Sequence, residues 1–316
     1  MNNGKIALQL MTLREVTSFG AKGLLQIREI KDKKIYGVDD AFRMVKELGI
    51  SYLELSKISV TDELAEEMAA ACRAYDMHII APGIIYERYM PDEPGDLLST
   101  DFDRIVRRCK QFDAHYVRNG MLPRSCFSSY DGYMRAAEGF NEYGRRLFDH
   151  GIKLYLHTHH YEFQRFGNKF GLELLIENTD PRYVGFELDT HWVQRGGQNP
   201  AKWIRRLAGR VDLLHLKDYR IQLPPEPEMS RSTLQKCIEY GEIGEGNLDW
   251  DEIFAAAQEA GVRYYPIEQD DTYGRNPFES IAISVHNLRE MGYGGLFLPG
   301  GAPFVSSSFI ALPQNL

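Results

Sequence analysis

Residues 184–192 read VGFELDTHW, and this stretch decides the fold because a buried strand runs directly into potential metal ligands. Three other segments do the same, at residues 154–160 (LYLHTHH), 211–218 (VDLLHLKD) and 265–271 (YPIEQDD). A parallel barrel gathers the carboxyl ends of its strands on one face, where the active sites of that fold lie. The four segments therefore predict a barrel whose strand ends converge on one polar site.

Apolar runs of strand length alternate with amphipathic helical stretches along the chain. Residues 39–49 (DDAFRMVKELG), for example, combine apolar residues at helical spacing with a glycine stop. Strands are predicted at residues 6–12, 52–55, 78–81, 116–119, 153–159, 184–189, 213–217 and 264–269. Helices are predicted at residues 39–49, 61–75, 102–112, 130–150, 170–178, 200–208, 250–260 and 276–291. Eight strands, each followed by a helix, predict an α/β fold of the (β/α)8 TIM barrel type rather than an open sheet.

The chain is longer than such a barrel requires. It has 316 residues, whereas about 250 are usual for the fold. The surplus lies in connections at residues 14–37 and 221–246 and in a tail, so we expect a catalytic barrel over residues 1–291 and a C-terminal extension over residues 292–316. The extension is rich in Gly, Pro and large apolar residues, which is typical of an arm that packs on its own barrel or contacts another subunit. We predict the subunit contact, and with it an oligomer.

Composition narrows the class of protein. The net charge is −8, which argues against a nucleic-acid-binding protein because such proteins usually carry a basic face. Four cysteines are widely spaced without a CxxC motif, as expected of a reducing compartment. The sequence starts without a signal-peptide pattern, and no apolar stretch reaches the length of about 18 residues that a membrane span needs. These features predict a cytoplasmic protein that binds neither nucleic acid nor membrane.

Four residues at the strand ends are the candidate metal ligands: His157, Asp189, His215 and Glu268. Two imidazoles and two carboxylates suit a divalent cation such as Mn²⁺ or Zn²⁺. The alternative interpretation of Asp189 is a cap of the turn that follows it. Asp270, on the same strand face as Glu268, is expected to hold a ligating histidine through a hydrogen bond.

Further polar residues beside these ligands indicate acid–base catalysis. His159 and His160 complete an HTHH cluster, and one of them is expected to act as a base or to contact substrate, because imidazole titrates near the working pH. Lys217 is expected either to stabilise a developing oxyanion or to form a salt bridge with Glu187, which lies deeper in its strand. The candidate catalytic residues are His159, His160, Glu268 and Lys217. The candidate substrate-binding residues are Glu162, Trp192 and Glu187.

Four motifs make the sequence resemble the xylose isomerase-like superfamily of TIM barrels, over about residues 5–291. They are GFELDTHWVQRGGQNPAKWI, RVDLLHLKDY, GEGNLDWDEIF and YYPIEQDDT, at residues 185–204, 210–219, 244–254 and 264–272. The resemblance implies one bound divalent ion, with Mn²⁺ as the first choice and Zn²⁺, Mg²⁺ or Co²⁺ as alternatives. In the sugar isomerase/epimerase branch, the ligands are a Glu, an Asp, a His and a Glu at the ends of strands five to eight.

This chain departs from that branch at the first ligand. Asp189, His215 and Glu268 match the pattern, whereas His157 stands where the branch has a Glu. Tagatose-type epimerases use their two ligating Glu residues as paired bases, and this chain keeps only Glu268 of the pair. Symmetric 3-epimerisation is therefore disfavoured. The histidine-rich exit of strand five is more similar to members that enolise keto-sugars and then eliminate a group.

The resemblance thus implies a metal-dependent enzyme that removes a proton α to the carbonyl of a keto-sugar and expels a β leaving group. Inosose dehydratases and 3-oxo-glycoside deglycosidases are such members, and the latter pair with a small β-rich subunit, which is a candidate partner here. A sugar isomerase or epimerase acting through the same enolisation is the alternative. The acidic charge argues against an endonuclease IV-like enzyme, and the ligand set argues against a non-catalytic barrel. Because no Gly-rich phosphate loop is found, the expected substrate is an unphosphorylated sugar or glycoside.

Overall fold

Eight parallel strands close into a barrel in the computed structural model, which describes residues 4–20, 30, 33–91 and 93–297. The strands are β1 (Lys5–Gln9), β2 (Tyr52–Glu54), β3 (His78–Ala81, continued by Gly83–Ile85), β4 (Tyr116–Asn119), β5 (Lys153–His157), β6 (Val184–Asp189), β7 (Leu214–His215) and β8 (Tyr264–Ile267). Each strand pairs with the next in parallel, β7 reaches β8 through isolated bridges, and β8 pairs with β1. The predicted (β/α)8 barrel is confirmed.

Helices cover the outside of the barrel, and some short helices lie within its loops. They are α1 (Val38–Glu47), α2 (Asp62–Tyr75), α3 (Phe102–Phe112), α4 (Tyr130–Phe148), α5 (Gly171–Asn178), α6 (Thr190–Arg195), α7 (Pro200–Arg206), α8 (Arg231–Leu234), α9 (Trp250–Ala260) and α10 (Pro277–Glu290). Two short hairpins, Arg165–Phe166 with Lys169–Phe170 and Asp218–Ile221 with Ile238–Gly241, extend the connections after β5 and β7. None of the described helices has the length and apolar character that crossing a membrane requires.

Five strands, β1, β2, β5, β7 and β8, end earlier than their sequence patterns predict, and local hydrogen bonds accompany the early ends of β5 and β1. β5 ends at His157: the amide of Thr158 still donates to Glu187 of β6 at 3.0 Å, and the amide of His159 donates to the carboxylate of Glu162 at 2.8 Å. β1 stops at Gln9, whose side chain accepts from the amide of Met11 at 3.1 Å and starts a 3-10 helix. His159 therefore lies in the loop after β5, and not on the strand.

Aromatic side chains fill the amino-terminal end of the barrel. Tyr155 of β5 is fully buried and packs edge-on against Tyr116, with ring centres 5.3 Å apart. The neighbouring strand makes room for this ring at Gly185, where a Cβ atom would lie 2.4 Å from it. The polar residues of β5 to β8 are left at the opposite end, where these strands finish.

The first residues of the C-terminal extension pack on their own barrel. Leu296 and Phe297 are buried, the ring of Tyr293 stacks on Phe254 at 3.9 Å, and Arg289 lies over the ring of Phe297 at 4.8 Å. The remaining apolar residues of the tail, after residue 297, lie outside the described residues, as does part of the 14–37 connection. The arm on its own barrel is thus favoured for residues 292–297, while the subunit contact, the oligomer and the division at residue 291 stay predictions.

Truncation of Phe297 tests this packing. Because the ring is only 6% exposed, we expect Phe297→Ala to lower the free energy of unfolding by about 3 kcal/mol, the usual cost of removing a buried aromatic ring. Leu223→Ala is the control, since Leu223 is 53% exposed and its change is expected to stay within about 0.5 kcal/mol. Urea denaturation measures both. Equal midpoints for Phe297→Ala and the control would show that the ring contributes no packing energy.

Candidate metal centre

Four side chains at the carboxyl ends of β5 to β8 meet at one point. His157 ends β5, Asp189 ends β6, His215 belongs to β7 and Glu268 directly follows β8. One donor atom from each lies within 4.8 Å of the other three, and all four residues are buried. Parallel register explains part of this convergence, because Asp189 is the register partner of His215. The structure thus brings together the four ligands that the sequence predicts.

The donor atoms are those that a divalent cation of the Zn²⁺ or Mn²⁺ type accepts. The Nδ1 atom of His215 lies 3.0 Å from Glu268 Oε2 and 3.8 Å from Asp189 Oδ2. Imidazole nitrogens mixed with carboxylate oxygens suit borderline metals of the first transition row.

The charges around these ligands also fit a dication. Among the described residues, the buried cations Arg118 and Lys217 form ion pairs with five buried carboxylates, and a third buried cation, Arg14, donates to the backbone carbonyl of Asp270. The carboxylates are those of Glu54, Glu187, Asp189, Glu268 and Asp270. Buried charges are stable only when they are paired. The excess of negative charge is therefore the environment that a bound divalent ion would balance.

Two pKa shifts reflect this shortage of positive charge. Burial lowers the pKa of His215, but the carboxylates of Glu187, Glu54 and Glu268 outweigh burial and hold that pKa well above its ordinary value. Burial, reinforced by the charge of Glu187, raises the pKa of Glu54 to about 8. Both side chains therefore hold their protons more strongly than they would in water.

Lys217 connects three carboxylates at the centre of the site. Its Nζ atom lies 2.9 Å from Asp189 Oδ2, 2.5 Å from Glu268 Oε2 and 2.8 Å from Asp270 Oδ2. Glu187 is paired with Arg118 instead, so the salt bridge expected between Lys217 and Glu187 does not form. The carboxylate of Asp270 accepts a hydrogen bond from Lys217 at 2.8 Å, where the sequence predicted a histidine as its donor.

Asp189 caps a helix with one carboxylate oxygen and directs the other toward the candidate site. Its Oδ1 atom accepts a hydrogen bond from the amide of Trp192 at 3.0 Å and caps α6. Its Oδ2 atom faces Lys217 and His215. A single carboxylate thus positions the start of a helix and offers one oxygen to the site.

His159 lies next to the ligands, in an environment that keeps its ring neutral. Its ring centre is 4.8 Å from that of His157, and it stacks on Tyr161 at 4.9 Å. Burial, aided by the nearby charges of Lys217 and Arg118, holds the pKa of His159 well below its ordinary value. A neutral imidazole beside a metal centre is in the form that can accept a proton.

His160 and Trp192 lie at the mouth of the site. The exposed His160 stacks on Trp192 with ring centres 5.1 Å apart. Lys217 lies over the same indole at 5.4 Å, and Tyr240 meets it edge-on at 5.9 Å. Trp192 therefore joins the interior of the site to its rim, as a candidate substrate-binding residue should.

Glu162 shapes the loop after β5. It is buried, its carboxylate accepts the amide hydrogen of His159, and burial raises its pKa to about 8. Its described contacts are thus with the loop backbone that carries His159. Contact with substrate stays a prediction for this residue.

Asp218 organises the long connection after β7. Its carboxylate accepts hydrogen bonds from the amides of Gly244 and Gly246, at 2.9 and 3.2 Å, and from the indole of Trp250 at 2.8 Å. A Cβ atom at position 246 would lie 2.2 Å from Asp218 Oδ1, so this approach requires glycine. The GEGNLDW motif is therefore the partner of the aspartate in LHLKD.

Sequence reasoning missed two residues beneath the ligands, Glu54 and Arg118. The Nε atom of Arg118 lies 2.7 Å from Glu187 Oε2 and 3.1 Å from Glu54 Oε1. Each is the one charged residue in a short apolar strand, YLEL in β2 and YVRN in β4. A lone charge in a strand that is buried on both faces was the available signal, because such a charge needs a partner.

A parallel barrel with a histidine and carboxylate centre at its carboxyl-terminal end defines a TIM-barrel protein with a candidate metal site. Residues 42–291 match the family model of the xylose isomerase-like TIM barrel, and the chain belongs to this family. It is 27% identical over 175 residues to the inosose dehydratase of Clostridium beijerinckii, a match that covers 52% of this chain and 58% of that protein. The chain thus spans little more than half the length of this curated relative.

Solved structures share the fold over most of the chain. A sugar phosphate isomerase/epimerase from Parabacteroides distasonis has a TM-score of 0.64 at 21% identity and covers 94% of this chain and 96% of its own. The 3-keto-D-glucoside 4-epimerase of E. coli has a TM-score of 0.60 at 14% identity, and the match covers 91% of this chain and 99% of that chain. The IolI protein with a bound zinc atom has a TM-score of 0.62 at 13% identity, and the match covers 93% of this chain and 99% of that chain. At these identities the likeness shows the fold alone.

Proposed function

We propose that the protein is a divalent-metal-dependent enzyme that removes a proton α to the carbonyl of a keto-sugar and eliminates a β leaving group, of the 3-oxo-glycoside deglycosidase or lyase type. The observation that carries this proposal is the convergence of the four donors within 4.8 Å, beside a neutral His159. A relative named inosose dehydratase and a structural neighbour named 3-keto-D-glucoside 4-epimerase support a substrate of this kind. His157, Asp189, His215 and Glu268 would hold the metal, with Mn²⁺ or Zn²⁺ as the first choices.

The reaction needs one base and one leaving group. In a 3-oxo-glycoside, the carbonyl acidifies the hydrogen on the adjacent carbon 2, and the aglycone is attached at carbon 1. His159 takes that proton, and the electron pair of the broken C–H bond enters the enolate. When this pair forms the double bond between carbons 1 and 2, the aglycone leaves with the bonding pair and is protonated. The products are an unsaturated ketone and the free aglycone.

Other residues of the chain place the substrate and its charge. Lys217 is a buried cation beside the candidate ligands Asp189 and Glu268, and in this proposal its positive charge stabilises negative charge on a substrate oxygen bound there. Trp192 offers an aromatic face at the rim, between His160 and Lys217. A bound Mn²⁺ or Zn²⁺ supplies Lewis-acid polarisation of the carbonyl.

A sugar isomerase or epimerase is the second candidate function. The same proton removal followed by return of a proton to the other face or carbon gives that outcome, and no leaving group is needed. The structural neighbour named sugar phosphate isomerase/epimerase favours it. Whether a β leaving group fits the pocket decides between the two functions.

The setting of the enzyme is part of the proposal. Four free cysteines, at positions 72, 109, 126 and 237, support a reducing, cytoplasmic location. We include a second subunit, either a copy of this chain or a small β-rich partner, which would contact the C-terminal extension. Light scattering of the full chain and of a chain that ends at Met291 tests this contact, because loss of assembly mass in the shorter chain is expected.

Product analysis separates the candidate reactions. We expect the metal-loaded protein to release the aglycone from a 3-oxo-glucoside deuterated at carbon 2, with the label lost to water, because His159 exchanges its proton with solvent. NMR of the same incubation, and of free ketoses, identifies the products. An epimerised or isomerised sugar would support the second candidate function. Full retention of the label, once internal transfer is excluded, would contradict proton removal at this carbon.

A further inference from the structure

A second polar layer lies directly beneath the four ligands. It consists of Glu54 on β2 and Glu187 on β6, which we call the carboxylate pair, joined by Arg118 on β4. Both carboxylates have no exposed surface, and Arg118 is buried as well. Gln9 also donates a hydrogen bond to Glu54. The carboxylate pair is thus fixed from below by a guanidinium group and an amide.

Both candidate imidazole ligands touch this carboxylate pair. The Nδ1 atom of His157 lies 3.0 Å from Glu187 Oε2. The Nε2 atom of His215 lies 3.0 Å from Glu54 Oε1 and 3.2 Å from Glu187 Oε2. The Nδ1 atom of His215 faces the candidate ligands Glu268 and Asp189.

These contacts determine which nitrogen of each ring carries a proton when the other nitrogen binds a metal. Glu187 is an ionised carboxylate paired with Arg118, and its Oε2 atom lies within 3.2 Å of both rings. An ionised carboxylate only accepts hydrogen bonds, so the ring atom that faces Glu187 must donate. His157 then carries its proton on Nδ1 and has its lone pair on Nε2. His215 carries its proton on Nε2 and offers Nδ1 to the side where Asp189 and Glu268 lie.

We propose that Glu54 and Glu187 are positioning residues that hold both histidines in the orientation and tautomer required to bind a divalent cation. This inference rests on the proposed metal centre and gives Glu187 a role beneath the ligands instead of contact with substrate. Arg118 secures the pair because its Nε atom donates to Glu187 and forms an ion pair with Glu54 at 3.1 Å. One guanidinium group and two carboxylates thereby serve two ligands at once.

Metal titration tests the proposal. We expect Mn²⁺ to bind chelator-treated Glu187→Gln about 10- to 100-fold more weakly than wild type, the usual effect of removing such a partner, because the amide group no longer holds His157 by a charge-assisted bond. Glu242→Gln is the matched control, since Glu242 is a buried carboxylate that accepts from Arg275 and Ser280 away from the site. It should bind Mn²⁺ as wild type does. Isothermal titration calorimetry measures all three proteins.

Histidine NMR supplies a readout that a merely structural role would not produce. In zinc-loaded wild type labelled with ¹⁵N-histidine, we expect the signal lost in His157→Gln to be that of an Nδ1–H tautomer, and the signal lost in His215→Gln to be that of an Nε2–H tautomer. The opposite tautomers would overturn the proposal even if Glu187→Gln failed to fold. Equal metal affinity in Glu187→Gln and Glu242→Gln would overturn it as well. A wild type that binds no divalent metal would instead remove the proposed metal centre, and this inference with it.

Discussion

Asp189→Asn is expected to remove the bound metal while leaving the barrel folded. The substitution keeps an oxygen that can accept the amide hydrogen of Trp192, and Asn is as good a helix cap as Asp. It removes the charge of the atom that faces Lys217 and His215. A neutral amide is a poor ligand for a borderline divalent cation, so we expect metal content to fall far below one ion per chain, with activity falling in parallel.

The control for this variant is another capping aspartate. Asp249 caps α9 by accepting the amide hydrogen of Glu252 at 3.0 Å, and it is not part of the candidate site. Asp249→Asn should therefore retain both metal and activity. Elemental analysis after gel filtration measures the metal in each protein. Stoichiometric metal in Asp189→Asn would mean that this carboxylate is not a ligand.

The fold was accessible from the sequence because its strongest signals are local. Each barrel strand is short and apolar, and helices such as α2 and α9 begin at a capping residue, Thr61 or Asp249, that the sequence displays. The candidate ligands were accessible for a related reason. Each stands at the carboxyl end of a predicted strand, and the barrel itself brings those ends together. The predicted topology was therefore sufficient to group the candidate ligands, and no side-chain geometry was needed.

The pairing of charges was not accessible, because it depends on side-chain reach across the barrel. Lys217 and Glu187 are both buried residues at the ends of adjacent strands, yet Lys217 contacts Asp270 of the next connection while Glu187 turns to Arg118 on β4. Arg118 and Glu187 are separated by one strand, and no sequence periodicity predicts which of several buried charges will meet. A pattern locates a strand end, whereas burial and competition among charges select the partners.

The two histidines that follow the candidate ligand His157 also show that a sequence pattern does not determine side-chain contacts. The HTHH pattern predicts one base without saying which. In the structure His159 is close to His157 and is held neutral by burial and nearby cations, whereas His160 is exposed and stacks on Trp192. Position therefore favours His159 as the proposed base, since a catalytic group must lie near the atoms that react.

His159→Ala is expected to lower turnover by about 10²-fold or more, the usual contribution of a positioned general base, while metal content stays at the wild-type level. His159 contacts His157 through its ring and is not one of the four converging donors, so its loss leaves the metal site complete. His160→Ala is expected to act mainly on KM, because its ring stacks at the rim on Trp192. Initial rates on a 3-oxo-glucoside, with metal analysis of the same samples, measure these effects.

Chemical rescue distinguishes a missing base from a disturbed loop. The amide of His159 donates to Glu162, and this hydrogen bond comes from the backbone, so it can persist in His159→Ala. Free imidazole should then enter the space left by the ring and restore part of the turnover, with the rescue rising with the concentration of the neutral form. His160→Ala, as the matched variant from the same loop, should gain nothing from imidazole. Unchanged turnover in His159→Ala would reject His159 as the base and would direct attention to Glu268, the other candidate base at the site.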